Sequence, residues 1–211
     1  MAEAKAHRTI EAEEFVLKDS KGRRRAALGT ERDEPFLALL DQAGKPRASL
    51  LIHESDPYVL LYDRSGRPRL RIFVRGEDQE INFYDGDGYP GTALAVGKEG
   101  ATLYLNHPKG RRSIFLEAEG DRASLQFNRC IGGKYAHFTV SETGSVLTLY
   151  STTGGPRLEL STHGQKPVLA FLNKKGKRTM TLTVIGNRPI LRVNGKQGLR
   201  NISLSDLAIA R

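Results

Sequence analysis

Cysteine occurs once in the 211 residues, at Cys130, methionine occurs twice, and tryptophan is absent. A single thiol excludes an internal disulfide framework and any zinc or iron–sulfur site built on several cysteines. No run of apolar residues approaches the ~18 needed for a transmembrane helix, so membrane insertion is not expected. The first fourteen residues carry Glu3, Glu11, Glu13 and Glu14 and lack the apolar stretch of a secretory signal. The expected location is therefore cytoplasmic, or extracellular if a leader precedes the sequence. Acidic residues are also in short supply: 24 Asp+Glu stand against 33 Lys+Arg, a net charge of +9.

What the chain does have is a repeat. Glycine recurs at 22, 44, 66, 88, 110, 132, 154, 176 and 198, always 22 residues apart and without insertion. Large apolar residues keep the same phase at Leu28, Leu50, Ile72, Leu94, Leu116, Phe138, Leu160, Leu182 and Leu204. Apolar pairs lie upstream of each glycine, from Phe15/Leu17 and Leu37/Leu39 to Leu169/Phe171 and Leu191/Val193. Spacing of two is the period of a strand, not of a helix. Nine units of two runs each predict about 18 short strands.

The links between runs predict how the strands connect. Asp41-Gln-Ala-Gly44-Lys-Pro46 reads as a tight turn with glycine at a position of positive φ, and Asp85-Gly-Asp87-Gly88 repeats it. The alternate links, such as Gly97-Lys-Glu-Gly100 and Ser141-Glu-Thr-Gly144, are equally short. Leu28 to Leu37 and Leu39 to Ala48 are odd separations, which keep paired residues on one face. The fold expected is all-β: nine 22-residue hairpin repeats in one continuous antiparallel meander. An apolar face this long predicts that the sheet rolls into a solenoid-like or closed structure. A propeller-like form is the alternative. It ranks lower because four-stranded blades need a period of 44 and neighbouring units do not alternate in character. A hollow barrel would put apolar columns in a wet lumen. The domains expected are a tail or short helix over 1–14, one repeat domain over 15–204, and a cap or tail over 205–211. Tyr62, Tyr84, Tyr104 and Tyr150 read as one ladder column in register with Leu40, a packing device or a ligand-binding stripe.

Charge is sorted by link. The nine glycine-turn windows (19–25 and every 22 residues after) carry a net +16, and the eight alternate links a net −6. A meander places the two sets on opposite edges, so one rim is basic and the other mildly acidic. The basic rim is carried by Arg23, Arg24, Arg25, Arg64, Arg67, Arg69, Lys109, Arg111, Arg112, Lys174, Lys175, Lys177 and Arg178. Charged turns can keep a repetitive β protein soluble, dock on an acidic rim of another copy, or bind an anionic polymer.

No catalytic constellation is visible. The histidines at 7, 53, 107, 137 and 163 lack metal-ligand spacing. Asp85-Gly-Asp87-Gly lacks the acidic residue eleven positions on, where Val96 stands, and reads as a turn rather than a calcium loop. Gly97-Lys98-Glu99 and Gly132-Gly133-Lys134 lack the features of a phosphate loop. Asn201-Ile202-Ser203 is a lone glycosylation sequon inside an expected strand. Cys130, with Arg129 beside it and His107 one unit away, reads as an incidental thiol. The column Asp19, Asp41, Asp63, Asp85 continues as His107, Arg129, Ser151, Asn173 and Gly195. A residue that repeats and drifts is turn chemistry, as is the column Arg25, Arg47, Arg69, Arg157. No metal or cofactor is expected, and the chain reads as a non-enzyme.

The unit Leu37-Ala-Leu-Leu-Asp-Gln-Ala-Gly-Lys-Pro-Arg-Ala-Ser-Leu50, with the opening Ile10 to Asp19, resembles the ~22-residue β-hairpin repeats of a group of bacterial proteins. The resemblance covers most of the chain, is strongest in the first four units, and implies architecture without a function. In architecture the chain is also similar to choline-binding repeats, but it lacks their tryptophans, so choline binding is not implied. The functional expectation is a structural or scaffold protein acting through its surface, its partner another copy of itself in an oligomer or filament. The alternative is a binding module for an anionic polymer, nucleic acid or acidic polysaccharide, along the basic rim.

Overall fold

Alternating apolar residues leave an extended chain with one apolar side, and each 22-residue unit contains two such stretches. Each stretch forms a strand. The computed structural model describes residues 9–107, 112–129, 133–162, 166–195 and 198–203. Among them are eighteen antiparallel strands and no helix, in one open meander sheet. Among the described residues no helix is long and apolar enough to cross a membrane.

The chain divides into two compact units, Met1–Tyr89 and Pro90–Arg211, although the 22-residue period itself runs through without a break. The first unit holds β1 (Glu14–Lys18), β2 (Arg24–Glu31), β3 (Glu34–Leu40), β4 (Pro46–His53), β5 (Asp56–Tyr62), β6 (Pro68–Arg75) and β7 (Asp78–Tyr84). The second holds β8 (Pro90–Gly97), β9 (Gly100–Asn106), β10 (Arg112–Glu119), β11 (Arg122–Arg129), β12 (Gly133–Ser141) and β13 (Gly144–Tyr150). It continues with β14 (Pro156–Ser161), β15 (Val168–Leu172), β16 (Arg178–Ile185), β17 (Arg188–Gly195) and β18 (Gly198–Ser203). Residues 9–13 precede β1 without regular structure, while 1–8 and 204–211, where a tail and a cap were expected, lie outside the described residues.

The register follows the sequence parity. In the first unit Leu28 opposes Leu37, Leu37 opposes Leu50, and Leu50 opposes Val59. In the second, Leu103, Leu116, Leu125, Phe138 and Leu147 form a continuous row across β9 to β13. The last hairpin departs from the period. Gly195 pairs with Gly198, so Ile202 stands opposite Leu191 where the period would put Leu204. A slip of two preserves parity, and Ile202 stays on the apolar face.

Of the forms expected for the roll, closure into a barrel is not seen. The meander is open and not closed into a barrel, and within each unit strands touch their chain neighbours rather than a second layer. Parity sorts side chains onto a face but says nothing about what covers it. The consequence is an inverted burial pattern. Every buried residue among those described lies on the mixed face: Ala27, Tyr58, Phe73, Asn82, Ser124, Ser161, Ala170 and Thr183. The apolar columns remain half exposed, with Leu28, Leu39 and Leu50 at 50–51%.

The tyrosine column also needs correction. Tyr62, Tyr84 and Tyr150 share the position of Leu40, but Tyr104 pairs with Ala93 and Phe115 in the central row. Its ring meets Phe115 edge-on at 5.0 Å. Tyr104 falls 20 residues after Tyr84, not 22.

Candidate functional site

The glycine turns are built by their first residue. Asp19 accepts a hydrogen bond at Oδ1 from the backbone N–H of Lys21 (2.9 Å) and of Arg23 (3.1 Å). Asp41, Asp63 and Asp85 do the same for the second and fourth residues after them. Asn173 repeats the pattern in the second unit. Each turn closes with the glycine N–H donating to the carbonyl of that first residue, and Gly22, Gly44, Gly66 and Gly88 have φ of 74–88°. Turn chemistry was legible in the column, and Asp85-Gly-Asp87-Gly88 is such a turn.

At Asp19, Asp41 and Asp63 these bonds favour the ionised carboxylate. The Arg23 side chain and the turn amides hold Asp19 down at about 2. The Ser65 hydroxyl and the amides of Arg67 and Ser65 lower Asp63 further, and the amide of Lys45 leads the lowering of Asp41.

A second device links successive turns. Arg47 bonds the Asp41 carboxylate and reaches the carbonyls of Asp63 and Arg64 in the next turn. Arg69 donates to Asp63 Oδ2 (3.0 Å) and to the carbonyl of Asp85. Arg25 pairs with Asp19 (3.5 Å) and donates to the Leu40 carbonyl (3.2 Å). In the second unit Arg157 reaches the Asn173 carbonyl (2.7 Å) and Arg129 the Thr152 carbonyl. The arginine column, Arg25, Arg47, Arg69 and Arg157, thus supplies clamps between turns, and Arg129, from the aspartate column, adds another.

The candidate binding residues therefore fall into two groups. Arg23, Arg24, Arg25, Arg67, Arg69 and Arg178 are engaged with Asp19, Glu14, Asp19, Asp63, Asp63 and Glu159 respectively. The side chains of Arg64, Lys174, Lys175 and Lys177 have no ion pair or hydrogen bond among the described residues. Lys109, Arg111 and the side chain of Arg112 lie outside the described residues, as do Cys130, His7 and His163. On the opposite rim Glu34 pairs with His53 (3.3 Å) and Asp56 with Arg75 (3.4 Å). His137 sits beside Thr139 (3.0 Å), and burial with the nearby charges of Lys134 and Arg122 lowers its pKa. Among the described residues no group of three or more His, Cys, Asp or Glu side chains is placed to hold a metal.

Two features go beyond the sequence reading: a side-chain cluster that it missed, and the exposure of an apolar face that it expected to be rolled inward. On the mixed face of the first unit Arg71 lies over Phe73 (4.7 Å) and Tyr84 (5.7 Å), beside the stacked pair Tyr58–Phe73 (5.5 Å). With His53, Tyr58 and Tyr84 it lines a cavity of about 380 Å³. Its row, Ala27-Ala38-Ser49-Leu60-Arg71-Asn82, has no periodic signal. The larger feature is the apolar face. In the first unit Phe15, Leu17, Leu28, Leu37, Leu39, Leu50, Leu61, Ile72, Val74 and Phe83 are all exposed. In the second unit the same face exposes residues from Leu94 to Ile202. Isolated monomers rarely expose contiguous apolar patches beyond a few hundred Å².

The fold thus defines a hairpin-repeat sheet whose glycine turns are pinned by Asp and Arg side chains and whose apolar face, within each unit, is exposed among the described residues. Compared with protein-family models the chain matches none, and compared with curated proteins it again matches none.

Proposed function

We propose that this is a non-enzymatic structural or scaffold protein that acts through its surface and assembles with copies of itself. The uncovered apolar face of each unit carries the reading, because such a surface gains free energy when it is removed from water. The gap-free repeat supports it, since uniform units offer many equivalent contacts along one face. The test is molar mass in solution by light scattering at low and high salt, with negative-stain imaging of the same sample. Masses at multiples of 23.3 kDa, or fibres, are expected. A monomer at every salt concentration overturns the proposal.

A second reading has its own observation. In the second unit Lys174, Lys175 and Lys177 stand in one glycine turn without a carboxylate partner among the described residues, as a surface for an anionic polymer requires, and Arg64 stands likewise in a turn of the first unit. It predicts binding of a sulfated polysaccharide or single-stranded nucleic acid that falls steeply with salt. Binding that ignores salt sinks it.

A further inference from the structure

We propose that the apolar face of the first unit docks on the same face of a second copy, with the basic rim of each copy over the acidic rim of the other. This rests on the self-assembly reading and names its surface and orientation.

Three observations select the occupant. The first is area. The exposed fractions of Phe15, Leu17, Leu28, Leu37, Leu39, Leu50, Leu61, Ile72, Val74 and Phe83 together equal about four and a half whole side chains. That is on the order of 800 Å² of apolar surface, the share each partner contributes to a standard stable interface. The second is composition. The strand-central positions of this face on β3 to β7 (Leu37 and Leu39, Ala48 and Leu50, Val59 and Leu61, Leu70 and Ile72, Ile81 and Phe83) carry no charge. Another apolar sheet face satisfies them at the roughly 10 Å spacing of stacked sheets. An identical copy supplies one, and a two-fold interface needs only a self-complementary patch.

The third is charge. In this unit the glycine-turn windows 19–25, 41–47 and 63–69 carry +3, +1 and +2, and its last glycine turn, 85–89, carries −2. The three opposite links 30–36, 52–58 and 74–80 carry −2 each. Two face-to-face copies can be related by a two-fold axis along the strands or across them. An axis along the strands puts like rims together. An axis across the strands puts the +4 rim over the −6 rim at both edges. The second orientation also sets Ala48, at the glycine-turn end of β4, against Ile52 of the other copy. Small then meets large, as close packing requires.

The experiment uses the full chain. Leu50→Glu places a charge in the middle of the face. No described layer covers Leu50, so the strand signal in circular dichroism is expected to persist. Association should weaken by at least about a hundredfold, because an unpaired carboxylate would have to be buried. Orientation is read by disulfide trapping in a Cys130→Ala background, which does not depend on that variant. Ala43→Cys lies on the basic edge and Ser55→Cys on the acidic edge. Mixed together, the two variants should cross-link to each other far more than either does to itself. Dominant 43–43 and 55–55 links would overturn the crossed orientation. An assembly that survives Leu50→Glu but disperses when Arg23, Arg24 and Arg25 are changed to Glu would overturn face docking while leaving self-assembly standing. A chain monomeric throughout, whether or not it binds lipid vesicles, would overturn both.

Discussion

The carboxylate of Asp63 collects the amide of Ser65 at 2.8 Å, the amide of Arg67 at 3.1 Å and the Arg69 side chain at 3.0 Å. One side chain therefore sets the turn and anchors the clamp that reaches the next one. Asp63→Ala should lower the unfolding temperature more than Asp63→Asn, which keeps an acceptor for the amides, as Asn173 does naturally. Thermal melts of the two variants check this. The pH dependence has a definite sign. The carboxyls of Asp19, Asp41 and Asp63 are depressed in the folded chain. Their contribution is present above the unfolded pKa of about 4 and is lost as pH falls through the folded values. The aspartate contribution should be flat from neutrality to about pH 4 and fall towards pH 2, the folded value of Asp19, and a His137→Gln background removes the separate loss that the lowered pKa of His137 brings below about pH 6.5. Acid titration followed by circular dichroism checks it, and a transition centred above pH 5 would refute it. The aspartate column was legible because turn chemistry repeats with the turn. Arg71 was not, because no periodic neighbour announces a single arginine on a mixed row.

The two hairpin links are different elements. The glycine turn closes with a bulge, seen as a register shift between Leu39 and Leu40 and again between Leu61 and Tyr62. The alternate links are two-residue turns with positive φ at both residues in Arg32-Asp33, Glu54-Ser55 and Gly186-Asn187. Arginine and glutamate pay a steric cost there that asparagine and glycine avoid. Replacing Arg32-Asp33 by Asn-Gly should stabilise the chain by about 1 kcal/mol in denaturant melts. Gly100 is the opposite case. It has φ of 153°, and a Cβ would lie 1.9 Å from the Ala118 carbonyl oxygen across the β9–β10 ladder. Gly100→Ala should cost more than about 3 kcal/mol or displace that pairing. Gly22→Ala meets open space and should cost only the strain of its φ of 74°. Two-fold periodicity made strand existence and face legible. The slipped register of the last hairpin was not, because a shift of two leaves the pattern of faces unchanged.

At the scale of the molecule, an open sheet cannot bury both of its faces within one layer. If association runs through the apolar face, raising salt from 50 mM to 0.5 M should leave the assembled mass unchanged, because burial of apolar surface is not screened. The yield of the mixed 43–55 cross-link should fall over the same range, since the orienting rim charges are screened beyond about 10 Å at 0.1 M salt. Light scattering and trapping on the same samples separate the two effects. Assembly lost at high salt would return the driving force to the rims.

By itself the sequence determined the repeat, the strands, their faces and the turn chemistry. All of these are local, set by a period of two along each strand and a period of 22 along the chain. Only the tertiary structure decided that the sheet stays open, that burial favours the mixed face, and that the arginines become clamps between turns. The curvature of a sheet and the cover of its faces depend on how side chains meet across several strands. Covering also depends on a partner surface that no column of residues encodes.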